Sequence, residues 1–408
     1  MLKPIQPDLR STSAVARLLV IAAFAMLVAC ADPPPLVPPT PLTAIDRQLQ
    51  PKNLWRKSVG DADSRRSSRF LPFVDNSGVY AASVNGNVAG FDVGNGSVLW
   101  RRNVGTRLGS GVGGDSQHVY VASHDGVVYA LDKSTGESAW TYAMPSAVLV
   151  RPVAAQATAQ ADGIVVVRAS NANVRGLDST TGEELWSTNF EAPALTVHGY
   201  GEPLVLDSGV LIGLDDGKIA ALSRSNGSLL WQSVLSLPSG RSEIERLVDV
   251  DANILIDDQF IYAVTYQGQL ARVEPQRGEL IWSVPMSSVS GMAQDDEFLY
   301  LTAEDSEVVA VSKSDGSEIW RVKSLRGRSI TRPALVGGGL LAVADFDGFV
   351  HILEAKDGSI IGRSQPLGSA PNSPSLVVYT SADDQDTSPA QVFLQWFKSE
   401  LVSLQVVR

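Results

Sequence analysis

The chain has 408 residues, 44% of them hydrophobic and 19% charged, with Gly 35 and Pro 22, too few for a collagenous or low-complexity polymer. Lys+Arg 33 against Asp+Glu 44 gives a formal charge of −11, which argues against a nucleic-acid binder, because such binding rests on a basic surface. One cysteine and four histidines (His118, His124, His198 and His351) exclude an intrachain disulfide framework and any metal site built from two or four cysteines.

In chain order, the first signal is a targeting segment. Lys3, Arg10 and Arg17 precede an apolar run from Leu18 to Val28. At about eleven residues the run is too short for a bilayer-spanning helix, which takes about 20. A basic flank before a short apolar core is the pattern of an export signal. The run ends Leu27-Val28-Ala29-Cys30, which resembles a bacterial lipobox. The resemblance implies cleavage before Cys30 and acylation of that cysteine; the plainer alternative is a secreted protein with an incidental cysteine. Ala31 follows, where Asp would signal inner-membrane retention in enteric bacteria, so an outer-membrane lipid anchor facing the periplasm is expected. Six prolines between Asp32 and Pro41 predict an extended, semi-rigid spacer. The expected organisation is a signal peptide over 1–29, a linker with lipidated Cys30 over 30–49, and a folded domain over 50–408.

Within that domain a unit recurs. Val79 to Trp100 is matched around 119–140, 164–186, 210–231, 260–282, 298–320 and 340–362. A Gly stands four residues before a Trp in six units: Gly96/Trp100, Gly136/Trp140, Gly182/Trp186, Gly227/Trp231, Gly278/Trp282 and Gly316/Trp320. The seventh has Gly358 but Gly362 in the Trp place. Each unit reads as strands joined by turns. Gly86, Gly126, Gly217, Gly268 and Gly348 sit between two β-rich runs, mostly after Asn or Asp, and predict type I′ hairpins with φ > 0 at both turn residues. Ala172 and Ser306 depart from that pattern. A second turn such as Asp132-Lys-Ser-Thr-Gly136 leads into the Trp strand, and an upstream apolar stretch supplies a fourth strand. Four antiparallel strands every 40–45 residues or so describe a propeller blade. Residues 391–407 repeat two middle strands with no Trp strand after them, and Leu54-Trp55-Arg56 is a Trp strand with no blade before it. Joined, they complete an eighth blade and remove free ring edges. The predicted fold is all-β: an eight-bladed propeller whose last blade is closed by the N-terminal strand, with Trp55, Trp100, Trp140, Trp186, Trp231, Trp282 and Trp320 docking between blades.

The clearest repeat, Tyr129-Ala-Leu-Asp-Lys-Ser-Thr-Gly-Glu-Ser-Ala-Trp140, resembles the PQQ-binding-like repeat family. That resemblance covers nearly all of 50–408 and implies the fold more than the function. Quinone-dependent periplasmic dehydrogenases share the repeat and are the enzymatic alternative. Such enzymes hold calcium, a catalytic Asp and often an adjacent cysteine pair, which this chain lacks.

Other motifs carry little chemistry. Gly109-Ser-Gly-Val-Gly-Gly114 satisfies GxGxxG but leads into a strand rather than a helix, so close inner-strand packing is expected. Asp249-Val-Asp251-Ala-Asn253 begins like a calcium loop, yet its sixth and twelfth places hold Ile254 and Phe260. Asp345-Phe-Asp347-Gly348 reads as a turn, and Asp383, Asp384 and Asp386 as a solvated loop. No GxSxG elbow is present. His118, His124 and His351 show no ligand spacing and are expected in turns or at the surface. No catalytic residue, metal ligand or cofactor is expected.

Irregularity in a periodic chain marks functional loops. The connections at about 189–201 and 235–250 are long and, by strand alternation, emerge on one face of the ring. The first carries Leu195-Thr-Val197-His198 and the second Ser242-Glu-Ile-Glu-Arg-Leu-Val-Asp249-Val-Asp251. Apolar residues flanked by carboxylates resemble a protein-binding hot spot more than a catalytic centre; the alternative is lids packed on blade rims.

Lipobox, eight blades and the run Arg241 to Asp251 together resemble the BamB family, lipoprotein scaffolds of the outer-membrane β-barrel assembly (BAM) machinery. The resemblance implies binding to the periplasmic POTRA domains of the barrel component BamA, contact with the other BAM lipoproteins through it, and a role with unfolded outer-membrane proteins. It places aliphatic contacts on Leu195 and Val197, acidic contacts on Asp249 and Asp251, and a basic contact on His198, where the family pattern has Arg.

Overall fold

The computed structural model describes residues 38–46, 48–60, 70–159, 161–193, 195, 201–239, 241–242, 244–366, 375–379, 390–396 and 399–407. Cys30, Val197, His198, Asp383, Asp384 and Asp386 lie outside these residues.

Eight four-stranded antiparallel sheets form the blades. Blades 1 to 7 span residues 73–103, 113–143, 153–189, 204–234, 255–285, 292–322 and 334–364. Blade 8 takes its three inner strands from 375–405 and its outer strand from Lys52–Ser58, which pairs with Glu400–Gln405. The innermost strands of successive blades are neighbours around the ring, including Phe73–Asp75 with Ser375–Tyr379 where it closes. No helix occurs among the described residues.

The β-branched middle strands explain the core. Ile164–Arg168, for instance, is buried at every position because both faces of a blade are covered by its neighbours. The apolar clusters accordingly lie between blades: Tyr80, Val88 and Trp100 join Val119 and Leu131, and Trp55 and Phe393 join Val79 and Phe91 across the closure.

Each repeat tryptophan docks on the next blade. Its Nε1 donates to a backbone carbonyl there: Trp55 to Val93 (3.0 Å), Trp100 to Lys133 (2.8 Å), Trp140 to Ser179 (3.1 Å), Trp186 to Arg224 (2.8 Å). Trp231, Trp282 and Trp320 do the same with Pro275, Lys313 and Ala355, at 2.8, 3.0 and 2.9 Å. The ring lies against the αL glycine of that blade; at Gly136 (φ +72°) a Cβ would meet Trp100 at 2.5 Å. The Gly-to-Trp spacing of the repeat therefore joins two different docks: the Gly receives the preceding blade's indole and the Trp reaches forward. Basic residues inside the same turn add ties, as where Lys133 Nζ reaches back 2.6 Å to Asp75 of blade 1.

Three expectations need correction. The middle hairpins are not type I′. Gly126 N–H donates to Ser123 O, Ser123 N–H donates to Val127 O, and φ is positive only at Gly126, which is a type I turn followed by a bulge. Ala172 (φ +61°) and Ser306 (φ +66°) take the same αL place, and in blade 5 positive φ falls on Gln267, not Gly268. The end of the linker expected over 30–49 is not free of the propeller. It runs as a strap on blade 7: Thr40 N–H donates to Arg326 O, Gln48 and Leu49 N–H donate to Ile361 O, and Leu49 is buried between blades 7 and 8. Finally, His118 and His351 are buried rather than at the surface. His351 Nε2 lies 3.1 Å from Asp345, whose carboxylate also takes Arg328 Nε at 2.7 Å, and Arg363 Nε donates to His351 Nδ1 at 3.1 Å.

Two sequence expectations hold. The GxGxxG run is the inner edge of blade 2, where a Cβ at Gly113 would stand 1.8 Å from Pro152 O and one at Gly111 2.6 Å from Leu71 N. Asp345–Gly348 is a turn, with Gly348 at φ +78°.

Candidate interaction face

The connections from each outer strand to the next inner strand leave on the same face as the middle hairpins, so both long connections stand on one face. Their roots touch. A Cβ at Gly201, where the blade 3–4 connection re-enters the fold, would meet Val250 O at 2.5 Å. Val250 N–H donates to Leu214 O (3.0 Å), and Tyr266 N–H donates to Asp249 O (2.8 Å), which stitches the blade 4–5 connection to both blades it joins.

Above these roots the connections present apolar side chains to solvent. Leu195 is 54% exposed, Leu237 71% and Ile244 68%. Ile244 sits on a small turn that caps itself: Glu245 accepts the N–H groups of Arg241 (2.7 Å) and Ser242 (3.2 Å), and Glu245 N–H donates to Ser242 Oγ (3.3 Å). Those backbone donors hold the Glu245 carboxyl below its ordinary pKa. The Ser242/Glu245 spacing was the signal in the sequence for this turn; Leu237 and Ile244 carried only the weak signal of single apolar residues in polar loops.

The acidic pair behaves differently from the aliphatic residues. Asp249 and Asp251 are 0% and 3% exposed, so they face inward instead of presenting a solvent-facing carboxylate pair. The reason is local: Val248 to Ala252 lies buried over blades 4 and 5, held by the two backbone bonds just described. Beneath it Asp215, from the blade 4 hairpin, brings a third buried carboxylate, and oxygens of all three lie within 4.8 Å of one another. That grouping could hold a cation; Arg168 of blade 3 places a guanidinium there, hydrogen-bonded to Asp215. Neither Asp215 nor Arg168 was anticipated, because each ends or follows a strand of ordinary apolar pattern. Asn253, the fifth residue of the calcium-like run, exchanges 2.8 and 3.1 Å hydrogen bonds with the Met292 backbone of blade 6, a structural use.

The family described as outer membrane protein assembly factor BamB matches residues 84–322 and 304–385. The chain belongs to that family. A BamB of Bordetella pertussis is 33% identical over 337 residues, 82% of this chain and 84% of its own length. The crystal structure of BamB from Moraxella catarrhalis aligns with a TM-score of 0.75 at 26% identity, covering 87% of this chain and 99% of that one. A europium-containing methanol dehydrogenase reaches a TM-score of 0.71 at 12% identity over 86% of this chain and 87% of its own, a likeness of fold alone.

Proposed function

We propose that the protein is a non-enzymatic scaffold lipoprotein of the BAM machinery, anchored through Cys30 in the outer membrane and facing the periplasm. It binds the POTRA domains of the barrel component and so assists insertion of β-barrel proteins. The observation that carries this reading is the exposure of Leu195, Leu237 and Ile244 on two long connections that meet at one point of a family-matched propeller. Apolar residues held in water on an ordered platform gain most from being covered by a partner. Val197 and His198 belong to the same docking segment. Asp249 and Asp251 support it from below, as groups that fix the connection.

The test is titration of the purified POTRA region with variants of the full propeller. Changing Leu195 and Val197 together to Ser should cost about 2 kcal/mol, or about 30-fold in affinity, with unchanged circular dichroism. His198→Arg should keep or strengthen binding, since it adds a fixed, forked charge. Affinity within about twofold of wild type for the Leu195/Val197 double variant, against that hot-spot cost, would remove these residues from the docking surface. Quinone-dependent oxidation is the rival activity; dye reduction with an alcohol or sugar after quinone addition would establish it.

A further inference from the structure

We infer that Arg168 is the positioning residue of the docking face: it fixes the roots of both long connections from below without meeting the partner. The inference deepens the docking reading and rests on it only for affinity.

Arg168 ends the inner-middle strand of blade 3, and its side chain is 2% exposed. Its Nη2 donates to Asp215 Oδ1 across the blade 3–4 junction. Asp215 shares its oxygen neighbourhood with Asp249 and Asp251 of the blade 4–5 connection. On its other side, a Cβ at Gly201 would stand 3.6 Å from Arg168 Nη1, so the guanidinium also abuts the end of the blade 3–4 connection. One side chain thus contacts three successive structural pieces: the end of the first connection, the hairpin of blade 4 and, through Asp215, the second connection.

Charge makes the arrangement consequential. Three carboxylates closed off from water repel one another strongly in the low-dielectric interior, and a buried charge needs an opposite charge or full hydrogen bonding. The Arg168 guanidinium brings one opposite charge to the group through its bond to Asp215 and, being planar, fixes orientation as well. Without it the carboxylates separate, and the free pieces are the two connections, since the strands are held by their ladders. Asp216 and Lys218, the other charged residues of the blade 4 hairpin, form their own ion pair.

The test combines amide exchange with affinity in the full chain. In Arg168→Gln, exchange at Val250 and Tyr266 should quicken by about tenfold or more, while amides in the middle strands of blades 1, 2 and 6 keep their wild-type protection. Capture of the POTRA region should weaken by about tenfold or more. Arg168→Lys keeps the charge and should rescue most of both effects. Unchanged exchange at Val250 and Tyr266 in Arg168→Gln overturns the inference, as does quickened exchange spread evenly over all blades. Should Arg168→Gln fail to fold, Arg168→Gln with Asp215→Asn removes both partners of the buried pair; wild-type protection of Val250 in that double variant overturns the inference equally. If wild-type protein fails to bind the POTRA region while Arg168→Gln still loosens Val250, the docking reading fails and the positioning role stands.

Discussion

Leu49 lies in a parallel bridge against Gly362, the residue that stands in blade 7 where the other seven blades carry tryptophan. A Cβ on Gly362 would meet Leu49 O at 2.7 Å. Strap and indole therefore compete for one place, and the missing tryptophan of the seventh repeat is matched by a segment from the other end of the chain.

Gly362→Trp should displace the strap. Overpacking of this kind costs about 1–3 kcal/mol, read from guanidinium denaturation, and new protease cleavage should appear between residues 40 and 49. An unchanged midpoint with no new cleavage would mean that the strap adds nothing to the closure.

Ala172 and Ser306 hold positive φ where equivalent hairpins have glycine. For an L-residue that conformation costs roughly 1–2 kcal/mol, partly offset in a glycine by greater chain entropy. Ala172→Gly and Ser306→Gly should each stabilise by up to about 1 kcal/mol. Gly217→Ala should do the opposite and more strongly, because its Cβ would stand 2.3 Å from Ser236 O. Urea midpoints of the three variants decide the matter; equal shifts in all of them would contradict the assignment of strain.

Acid should loosen blade 7. Burial lowers the His351 pKa below its ordinary 6.5, with Arg363 and Arg328 adding to the fall against the opposing pull of Asp345. Since Arg363 Nε can only donate, His351 Nδ1 accepts and the ring is neutral in the fold. A neutral buried histidine contributes stability that is complete above about pH 6.5 and declines as the unfolded chain takes up its proton below that. Asp345, whose pKa is lowered by His351 and Arg328 despite burial, contributes above its unfolded value near 3.8 and loses that only at lower pH. Denaturation at pH 8 and pH 5 therefore leaves Asp345 out, and comparison with a His351 variant separates His351 from the other histidines. Wild type should lose stability between them, and His351→Gln should flatten that part of the change.

The docking face offers a split that separates two kinds of residue. Ile244→Ser should leave the melting temperature in place and weaken capture of the POTRA region, because the side chain is solvent-facing in the free protein. Asp251→Ala should lower the melting temperature as well, since it vacates a buried position within a carboxylate group. Equal thermal stability in both variants would argue against the buried placement of Asp251.

Much of this architecture is legible in the chain. The recurrence of Gly-x-x-x-Trp marks the first six blades, and the orphan halves at Trp55 and at 391–407 disclose how the ring closes. Other features are hidden for physical reasons. A type I turn with a bulge and a type I′ turn both call for Asn-Gly or Asp-Gly, so composition alone does not separate them at Gly86 or Gly126. The six prolines from 33 to 41 read as a spacer and hide the strap that follows them, and only the glycine at 362 hints that something else must fill the gap. Asp249 and Asp251 look like loop carboxylates because polarity predicts exposure; their burial comes from backbone bonds to the hairpins of blades 4 and 5, which nothing in the local sequence announces.

The pairing of the first propeller strand with the last sets an order on folding. Arg56 and Glu400, ion-paired across that seam, are 344 residues apart in sequence. Contacts of such separation form late, because the intervening loop must first be closed. Blades 1 to 7 can assemble from the middle of the chain outward, each on its neighbour, but the seam waits until the final strand is available. A chain delivered end first, from either end, thus stays open and pliable until the whole of it has arrived.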